Sequence, residues 1–100
     1  MSLIVLKFGG TSVGNCEKII KVARLIKKHY DQKNKIIVVS SAMAGGTNEL
    51  IKKSKKIRNK FEKSEYDVLV SAGEQMACSL LAGSLIELGL KSRSWLSWQL

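Results

Sequence analysis

The chain has 100 residues, 45% hydrophobic and 25% charged, which is ordinary for one small globular domain and excludes disorder as a description of the whole. No apolar run approaches the roughly 20 residues that span a bilayer, and no basic and apolar leader is recognisable, so neither membrane insertion nor secretion is expected. Seventeen basic and eight acidic residues give a net charge of +9, which leaves nucleic acid, an anionic substrate or a lysine-rich surface open.

The first half of the chain alternates between strand and helix patterns. The apolar run SLIVLKF at 2–8 and the β-branched run KIIVVS at 35–40 predict two buried strands. Between them, an amphipathic helix is predicted over 17–33, because its apolar residues recur with helical spacing at Ile19, Ala23, Ile26 and Tyr30. This order favours an α/β domain with a parallel sheet and right-handed crossovers.

A second helix is predicted from Asn48 to Lys63, with Thr47 or Asn48 as its N-cap. A solvated helix face is favoured over nucleic-acid binding here, because no aromatic residues interleave with the basic ones and no nucleic-acid-binding motif occurs. The basic residues of this segment are Lys52, Lys53, Lys55, Lys56, Arg58, Lys60 and Lys63.

The stretch from Asp67 to Leu88 fits a helix better than a strand, since its residues are good helix formers. We expect one helix that tolerates Gly73 and ends with Gly89 at the C′ position, followed by a further strand in KSRSWLSW at 91–98. The apolar residues with helical spacing are Leu69, Ala72, Met76 and Leu80.

The two cysteines, Cys16 and Cys78, form no C-x-x-C pair, and His29 is the one histidine in the sequence. A zinc site is therefore not predicted, and the metal-ligand set is expected to be empty. Reduced, packed thiols in a cytoplasmic protein are the favoured interpretation.

The first stretch that indicates chemistry is KFGGTSVG at 7–14. Lys7 stands at the end of a predicted strand, where ligands of α/β sheets gather, and Gly9 and Gly10 let the backbone approach an anion closely. A lysine there could follow the negative charge of a phosphoryl group in transfer. The alternative is a plain strand-to-helix turn. Neither the phosphate-loop pattern nor G-x-G-x-x-G fits, because Asn15 stands where the former needs lysine.

Two later stretches carry polar residues in comparable positions. SSAMAGGTNEL at 40–50 follows the second strand with small residues, including Ser41, and places the Thr47 hydroxyl near a helix N-terminus; simple helix capping is the alternative. In SAGEQ, Glu74 lies within an otherwise apolar stretch and would need a partner, such as a substrate ammonium group, if it were buried. Exposure on a polar edge is the alternative there.

Together the segments KFGGTSVG, VVSSAMAGGTNEL, LVSAGEQM and LGLKSRSWLSWQ resemble, in order and spacing, the N-terminal motifs of the aspartokinases within the amino-acid kinase family. The resemblance runs from Ser2 to Gln99, with Ser97 where a glycine is expected. It implies a partial amino-acid kinase fold, a three-layer α/β/α arrangement with a mainly parallel sheet. Residues 1–100 would be the N-terminal part of the catalytic domain, without its later half or the ACT regulatory domains.

The resemblance also implies an activity: ATP-dependent phosphorylation of the L-aspartate side chain to 4-phospho-L-aspartate, toward lysine, threonine and methionine. Lys7 would be the catalytic residue, aspartate would be bound by Thr47 and Glu74, and Mg²⁺ would accompany ATP. The residues implied to bind ATP are Lys7, Phe8, Gly9, Gly10 and Ser41.

The family's later catalytic segments fall outside this sequence, so the resemblance implies a split or incomplete enzyme. A complementary chain would supply the rest of the domain, or the chain would associate with itself, because an incomplete sheet leaves an edge and apolar surface exposed. The alternative from another class is a non-catalytic remnant that serves as an interaction module. No nucleic acid or membrane partner is expected.

Overall fold

The computed structural model describes residues 2–42 and 46–96; for Gly46 and Thr47 it describes the backbone alone. The α/β class expected from the sequence is confirmed by the order of the elements. These are β1 (Leu3–Phe8), α1 (Cys16–Asp31), β2 (Lys35–Ser40), α2 (Gly46–Ile57) and α3 (Lys63–Glu87).

β1 and β2 pair in parallel, in a register that runs from Leu3 opposite Lys35 to Phe8 opposite Ser40. Helix α1 connects them, so the first forty residues form a β-α-β unit. The predicted parallel sheet is thereby confirmed, and both strands end at the same edge.

Alternate residues of the two strands meet different surroundings, as the two-residue period of a strand requires. On one side, which we call the closed face, Leu6, Phe8, Ile36 and Val38 pack against the buried core. That core consists of Val13, Ile19, Val22, Ala23, Ile26, Ala77, Leu81 and Leu85. Helices α1 and α3 therefore supply most of the cover for this side of the sheet.

The other side of the sheet, which we call the open face, retains large solvent exposure. Leu3 is 64% exposed, Val5 61%, Ile37 51% and Val39 47%. The same face carries two exposed lysines, Lys7 near the end of β1 and Lys35 at the start of β2. In the described chain, helices therefore cover one face of the sheet.

Helix α1 matches its prediction closely, ending two residues earlier than expected. Its N-cap is Asn15, whose side-chain Oδ1 accepts a hydrogen bond from the Lys18 N–H at 2.9 Å. Lys33, with φ of 65°, terminates the helix in the left-handed region. The predicted apolar stripe is buried except at Tyr30, which is 52% exposed.

Helix α2 differs from its prediction at both ends. It begins at Gly46, so Thr47 and Asn48 lie in its first turn rather than at the N-cap, and it ends at Ile57 instead of Lys63. No packing holds the helix beyond this point, because Ile57 is itself 80% exposed. Like charges three and four residues apart, as in the lysines of 52–56, also weaken this helix.

Helix α3 is one continuous helix through Gly73, as predicted, but its buried face lies one residue away from the predicted stripe. Met76 is 58% and Leu80 is 43% exposed. Because this segment is apolar on nearly every side, its periodicity did not distinguish the two faces. The buried residues are Gly73, Ala77, Leu81 and Leu85.

The end of α3 confirms the predicted C′ glycine. Gly89 has φ of 88°, and its N–H donates to the Ile86 carbonyl at 2.9 Å, while the Leu90 N–H donates to the Leu85 carbonyl at 3.0 Å. These two bonds form a Schellman motif. They turn the chain so that Leu90 packs against the core.

Among the described residues, α3 is the one helix whose 25 residues and apolar composition would suffice to cross a bilayer. Core helices of water-soluble proteins meet the same test. Here α3 packs against both α1 and α2 and contributes three aliphatic side chains to the core, while 22% of its apolar window is buried.

The strand predicted in 91–98 is wrong over its described part. Residues 91–96 alternate between exposed and half-buried positions, as a strand would, but they form no ladder, and the described sheet consists of β1 and β2.

The described chain is elongated: its radius of gyration is 15.3 Å, against about 13 Å for a compact domain of this length.

Candidate functional site

The carboxyl ends of the two strands meet at one edge of the sheet. Lys7 lies opposite Val39, and the Ser41 N–H donates a hydrogen bond to the Phe8 carbonyl at 3.0 Å, just beyond the last residue of β2. The loops that follow β1 and β2 therefore start side by side. Lys7 and Ser41, which the sequence separates by more than thirty positions, are brought to the same end of the sheet.

Lys7 and Phe8 point to opposite sides of β1. The lysine is exposed on the open face, whereas the phenylalanine ring packs against the core on the closed face. Any contact of Phe8 with a ligand would therefore have to come from its backbone, and its carbonyl already accepts the Ser41 N–H. The ammonium group of Lys7 is the mobile positive charge at this edge.

The glycine loop leaves room for a ligand beside its backbone. Gly9 begins a turn closed by a hydrogen bond from the Ser12 N–H to the Gly9 carbonyl at 3.1 Å. A Cβ atom built on Gly9 would meet nothing within 4 Å, so the space above this residue is open. Gly10 is half-buried in the same turn, and Val13, fully buried, anchors the loop to the core.

The N-terminus of α1 is poorly suited to bind a further anion. The Asn15 side chain satisfies the Lys18 N–H, one of the donors that an N-terminus presents, and Glu17 places a carboxylate in the same turn. That carboxylate already takes advantage of the helix dipole and would repel a second anion. Phosphate binding here depends more on Lys7 and the glycine turn than on the helix.

Thr47, predicted to bind the substrate, has its backbone in the first turn of α2, and its side chain lies outside the described residues. The helix that carries it follows β2 in the chain, after the described residues Ser41 and Ala42. The order of a strand followed by a helix is therefore the one that the sequence predicted.

Glu74 lies on α3 and lines a cleft of about 940 Å³ between α3, β2 and residues 90–96. It is exposed, so the possibility of a buried glutamate is wrong for this chain and the alternative of an exposed edge is right. Ser40, the last residue of β2, lines the same cleft. The cleft thus reaches the strand ends, although Lys7 is not among its walls.

Residues 91–96 contribute positive charge to this cleft, which the sequence analysis did not assign. Lys91 and Arg93 both line it, and the Arg93 guanidinium lies over the Trp95 ring at 4.2 Å from the ring centroid. Such stacking fixes a guanidinium without neutralising it. The signal in the sequence was the alternation of basic and small residues in KSRSW.

The two parts of the site have different chemical capacities. The glycine turn with Lys7 offers N–H groups and one positive charge, which suits phosphate oxygens. The cleft carries both signs, because Glu74 lines it from α3 and Lys91 and Arg93 line it from the segment that follows α3. A small zwitterion with an additional carboxylate is complementary to such walls.

Mg²⁺ fits the described residues poorly. Among residues 2–42 and 46–96, no group of three histidine, cysteine, aspartate or glutamate side chains lies together. Mg²⁺ takes oxygen ligands, and at kinase sites it is bound largely through substrate phosphates and water. The described residues therefore offer no carboxylate cluster for the ion.

Comparison with known proteins agrees with this arrangement. Residues 2–99 match the model of the amino acid kinase family. The chain is 47% identical to an aspartokinase of Rickettsia felis over 103 aligned residues, covering 100% of this chain and 26% of that protein. It is 50% identical to an aspartate kinase of Stutzerimonas stutzeri over 95 residues, 95% of this chain and 23% of that protein.

The fold agrees as well. The crystal structure of aspartate kinase from Synechocystis superposes with a TM-score of 0.82 at 43% sequence identity, over 86% of this chain and 15% of that one. The chain spans about a quarter of the length of the curated relatives it matches.

Proposed function

The chain belongs to the amino acid kinase family, and from this premise we propose that it carries the N-terminal half-site of an aspartate kinase. The reaction would transfer the γ-phosphoryl group of ATP to the side-chain carboxylate of L-aspartate, giving 4-phospho-L-aspartate in cytoplasmic amino-acid biosynthesis. The observation that supports this most strongly is the convergence of Lys7, the glycine turn and Ser41 at one edge of a parallel sheet.

At the phosphate end, Lys7 would act as the catalytic residue. Lys7 is exposed two residues before Gly9, and the space above Gly9 is open, so phosphate oxygens there could accept hydrogen bonds from backbone N–H groups. A charge held at that point stabilises the negative charge that spreads over the transferred group. Gly10, Ser41 and the backbone of Phe8 would complete the cradle.

At the amino-acid end, Glu74 would bind the α-ammonium group of aspartate, and Thr47 would contact the same substrate. The support for Glu74 is its place on a cleft that also reaches Ser40 at the end of β2. An exposed carboxylate is open to an incoming ammonium group, at a smaller desolvation cost than a buried one. Lys91 and Arg93, which line the same cleft, favour the carboxylates of a dicarboxylic amino acid.

Mg²⁺ would enter with ATP and shield its phosphate charge. Because the described residues offer it no carboxylate cluster, the ion would be held by phosphate oxygens and by groups outside this chain's described residues. The tasks of this chain are then to position the phosphates and the amino acid. No covalent enzyme intermediate is needed, since phosphoryl transfer depends mainly on positioning and charge stabilisation.

The relatives are about four times as long as this chain, which covers 26% of the Rickettsia felis protein. We therefore propose that turnover requires the remaining part of the catalytic domain. In the experiments below, the complementary segment is the part of the Rickettsia felis aspartokinase that follows the stretch matching this chain. It is expressed as a separate polypeptide.

The test uses ATP, Mg²⁺, L-aspartate and hydroxylamine, which converts the acyl phosphate into a coloured hydroxamate. We expect hydroxamate when the chain and the complementary segment are mixed, and none with either alone. Glu74→Gln should raise the KM for aspartate by about tenfold or more and leave the KM for ATP nearly unchanged, because one charge-assisted contact is lost.

Absence of hydroxamate from a mixture in which the two polypeptides bind each other would contradict the proposal and favour the non-catalytic interaction module. An equal rise in both KM values on Glu74→Gln would contradict the role assigned to this residue, since it would indicate a general disturbance of the site.

A further inference from the structure

Helix α2 is attached to the rest of the chain less firmly than α1 and α3 are. In the described chain, the buried core comes from α1, α3 and Val13, and no residue of α2 belongs to it or packs against it. Within the same residues, α2 packs against α3 and against no other helix or strand. The stability of α2 therefore depends on one contact with one neighbour.

That contact removes little apolar surface from water. Over 48–57, where the side chains of α2 are described, the buried residue is a serine: Ser54 is 2% exposed. Its hydroxyl donates a hydrogen bond to the Ile51 carbonyl at 2.7 Å, inside α2 itself, so this bond does not join the helix to α3. Leu50 and Ile51 are half-buried, and Ile57 is 80% exposed. Little hydrophobic stabilisation is available to hold α2 in place.

The charges of α2 also oppose its helical form. Lys52 stands three residues before Lys55 and four before Lys56, and Lys53 stands three before Lys56. Like charges at these spacings lie side by side on a helix and repel. Glu49 offsets part of this repulsion, because it precedes Lys52 and Lys53 by three and four residues. A helix of 12 residues is marginal in water without tertiary support, so α2 is expected to unfold when it leaves α3.

We propose that α2 is a substrate-ordered arm: it leaves α3 and unfolds while the closed face stays intact, and bound L-aspartate holds it in place. This inference rests on the proposed function, in which Thr47, in the first turn of α2, contacts aspartate. A ligand that binds the docked arm alone shifts the equilibrium towards docking by its own binding free energy. The amino-acid end of the site is then completed by the amino acid that it binds.

The test is hydrogen exchange of the backbone amides, followed by mass spectrometry of peptides from α1 and α2. It uses the isolated chain and its mixture with the complementary segment. Two variants strengthen the arm: Lys56→Gln removes both like-charge pairs of that lysine, and Ser54→Ala introduces a better helix former. Lys21→Gln on α1 is the matched control, because Lys21 is also exposed and also stands three residues from two basic residues, Lys18 and Arg24.

In the isolated chain, we expect α2 amides to be protected at least about 100-fold less than α1 amides. Their exchange should depend weakly on urea, because opening the arm exposes little surface, whereas exchange in α1 requires the core to open. Lys56→Gln should slow α2 exchange about twofold to fivefold, with a smaller effect at high salt, and Ser54→Ala about twofold. Lys21→Gln should leave α2 exchange unchanged.

In the mixture with the complementary segment, L-aspartate at ten times its Kd should slow α2 exchange by about a further tenfold, as linkage between binding and docking requires. L-Alanine, which lacks the side-chain carboxylate, should have no such effect. The Kd is measured by titration calorimetry in the same mixture.

Equal protection and equal urea dependence in α1 and α2 would overturn the inference, because α2 would then open with the whole chain. Local opening that L-aspartate does not slow would overturn it as well. Hydroxamate formation separates this result from the proposed function. Aspartate-dependent protection without hydroxamate leaves the arm standing and refutes the kinase proposal, and hydroxamate from a chain whose α2 fails the exchange tests does the reverse.

Discussion

The two faces of the β1–β2 sheet are built from alternate residues of the same two strands, yet they serve different ends. The closed face packs Leu6, Phe8, Ile36 and Val38 against α1 and α3, and around it lies the whole buried core of the described chain. The open face presents side chains of the same aliphatic type to solvent, together with Lys7 and Lys35.

This contrast shows that aliphatic residues of the same strands are buried on one face and exposed on the other. A strand that is apolar on both sides is made for two layers of cover, and one of those layers is provided by α1 and α3. We infer that the closed face carries the stability of the chain. The adjoining strand ends then carry the proposed site.

The largest expected difference between the faces concerns isoleucine. Ile26→Ala, at a core position 2% exposed, should lower the free energy of unfolding by about 2–5 kcal/mol, through lost burial and the cavity that remains. Ile37→Ala, at an open-face position 51% exposed, should lower it by less than about 1 kcal/mol. Urea unfolding followed by circular dichroism measures both. Similar losses in the two variants would show that the open face is covered in solution.

A smaller effect is expected at two glycines, Gly83 inside α3 and Gly89 just after its end. Gly89→Ala should destabilise the chain by about 1–2 kcal/mol, because φ of 88° is strained for a residue with a Cβ atom. Gly83→Ala is the matched control: it lies inside the helix with nothing within 4 Å of a built Cβ, and should stabilise by about 0.5–1 kcal/mol. Thermal unfolding gives both signs. A stabilising Gly89→Ala would mean that the Schellman motif is not formed.

The smallest effect is expected at the ion pair of α1, where the Lys27 Nζ lies 2.7 Å from the Asp31 carboxylate. Both side chains are well exposed, at 38% and 56%, and the lysine precedes the acid, which is the weaker orientation in a helix. Asp31→Asn should therefore change stability by less than about 0.5 kcal/mol. A loss above 1 kcal/mol in the same unfolding assay would show that surface charge, and not the closed face alone, supports the fold.

The sequence predicted the helices and strands better than it predicted which of their faces are buried. The β1–α1–β2 unit followed from two β-branched runs and one clear helical stripe, and Gly89 was recognised as a helix end because glycine favours the left-handed region. Helix α3 was predicted as one element, but its buried face was displaced by one residue, because a helix apolar on several sides has no distinct stripe. Which faces find cover depends on tertiary packing, which local spacing does not encode.

In the candidate site, too, local pattern predicted positions in the chain but did not predict exposure. Lys7, Gly9 and Gly10 could be placed at a strand end, because strand ends are marked by local pattern. The exposure of Glu74 could not be foreseen, since it depends on how α3 rotates against its neighbours. Likewise, the strand expected in 91–98 lacks a ladder over 91–96, because alternation of side chains does not itself supply a pairing partner.

The central claim is that the two lysines of the open face have different roles: Lys7 acts at the strand ends, whereas Lys35, at the opposite corner, takes no part in the reaction. The most direct measurement is the hydroxamate rate of Lys7→Ala and Lys35→Ala at saturating complementary segment. We predict that Lys7→Ala lowers the rate by about 10²–10³-fold, as for loss of one group that stabilises transition-state charge, while Lys35→Ala keeps it within about twofold. Equal rates in the two variants, whether both high or both low, would contradict the account.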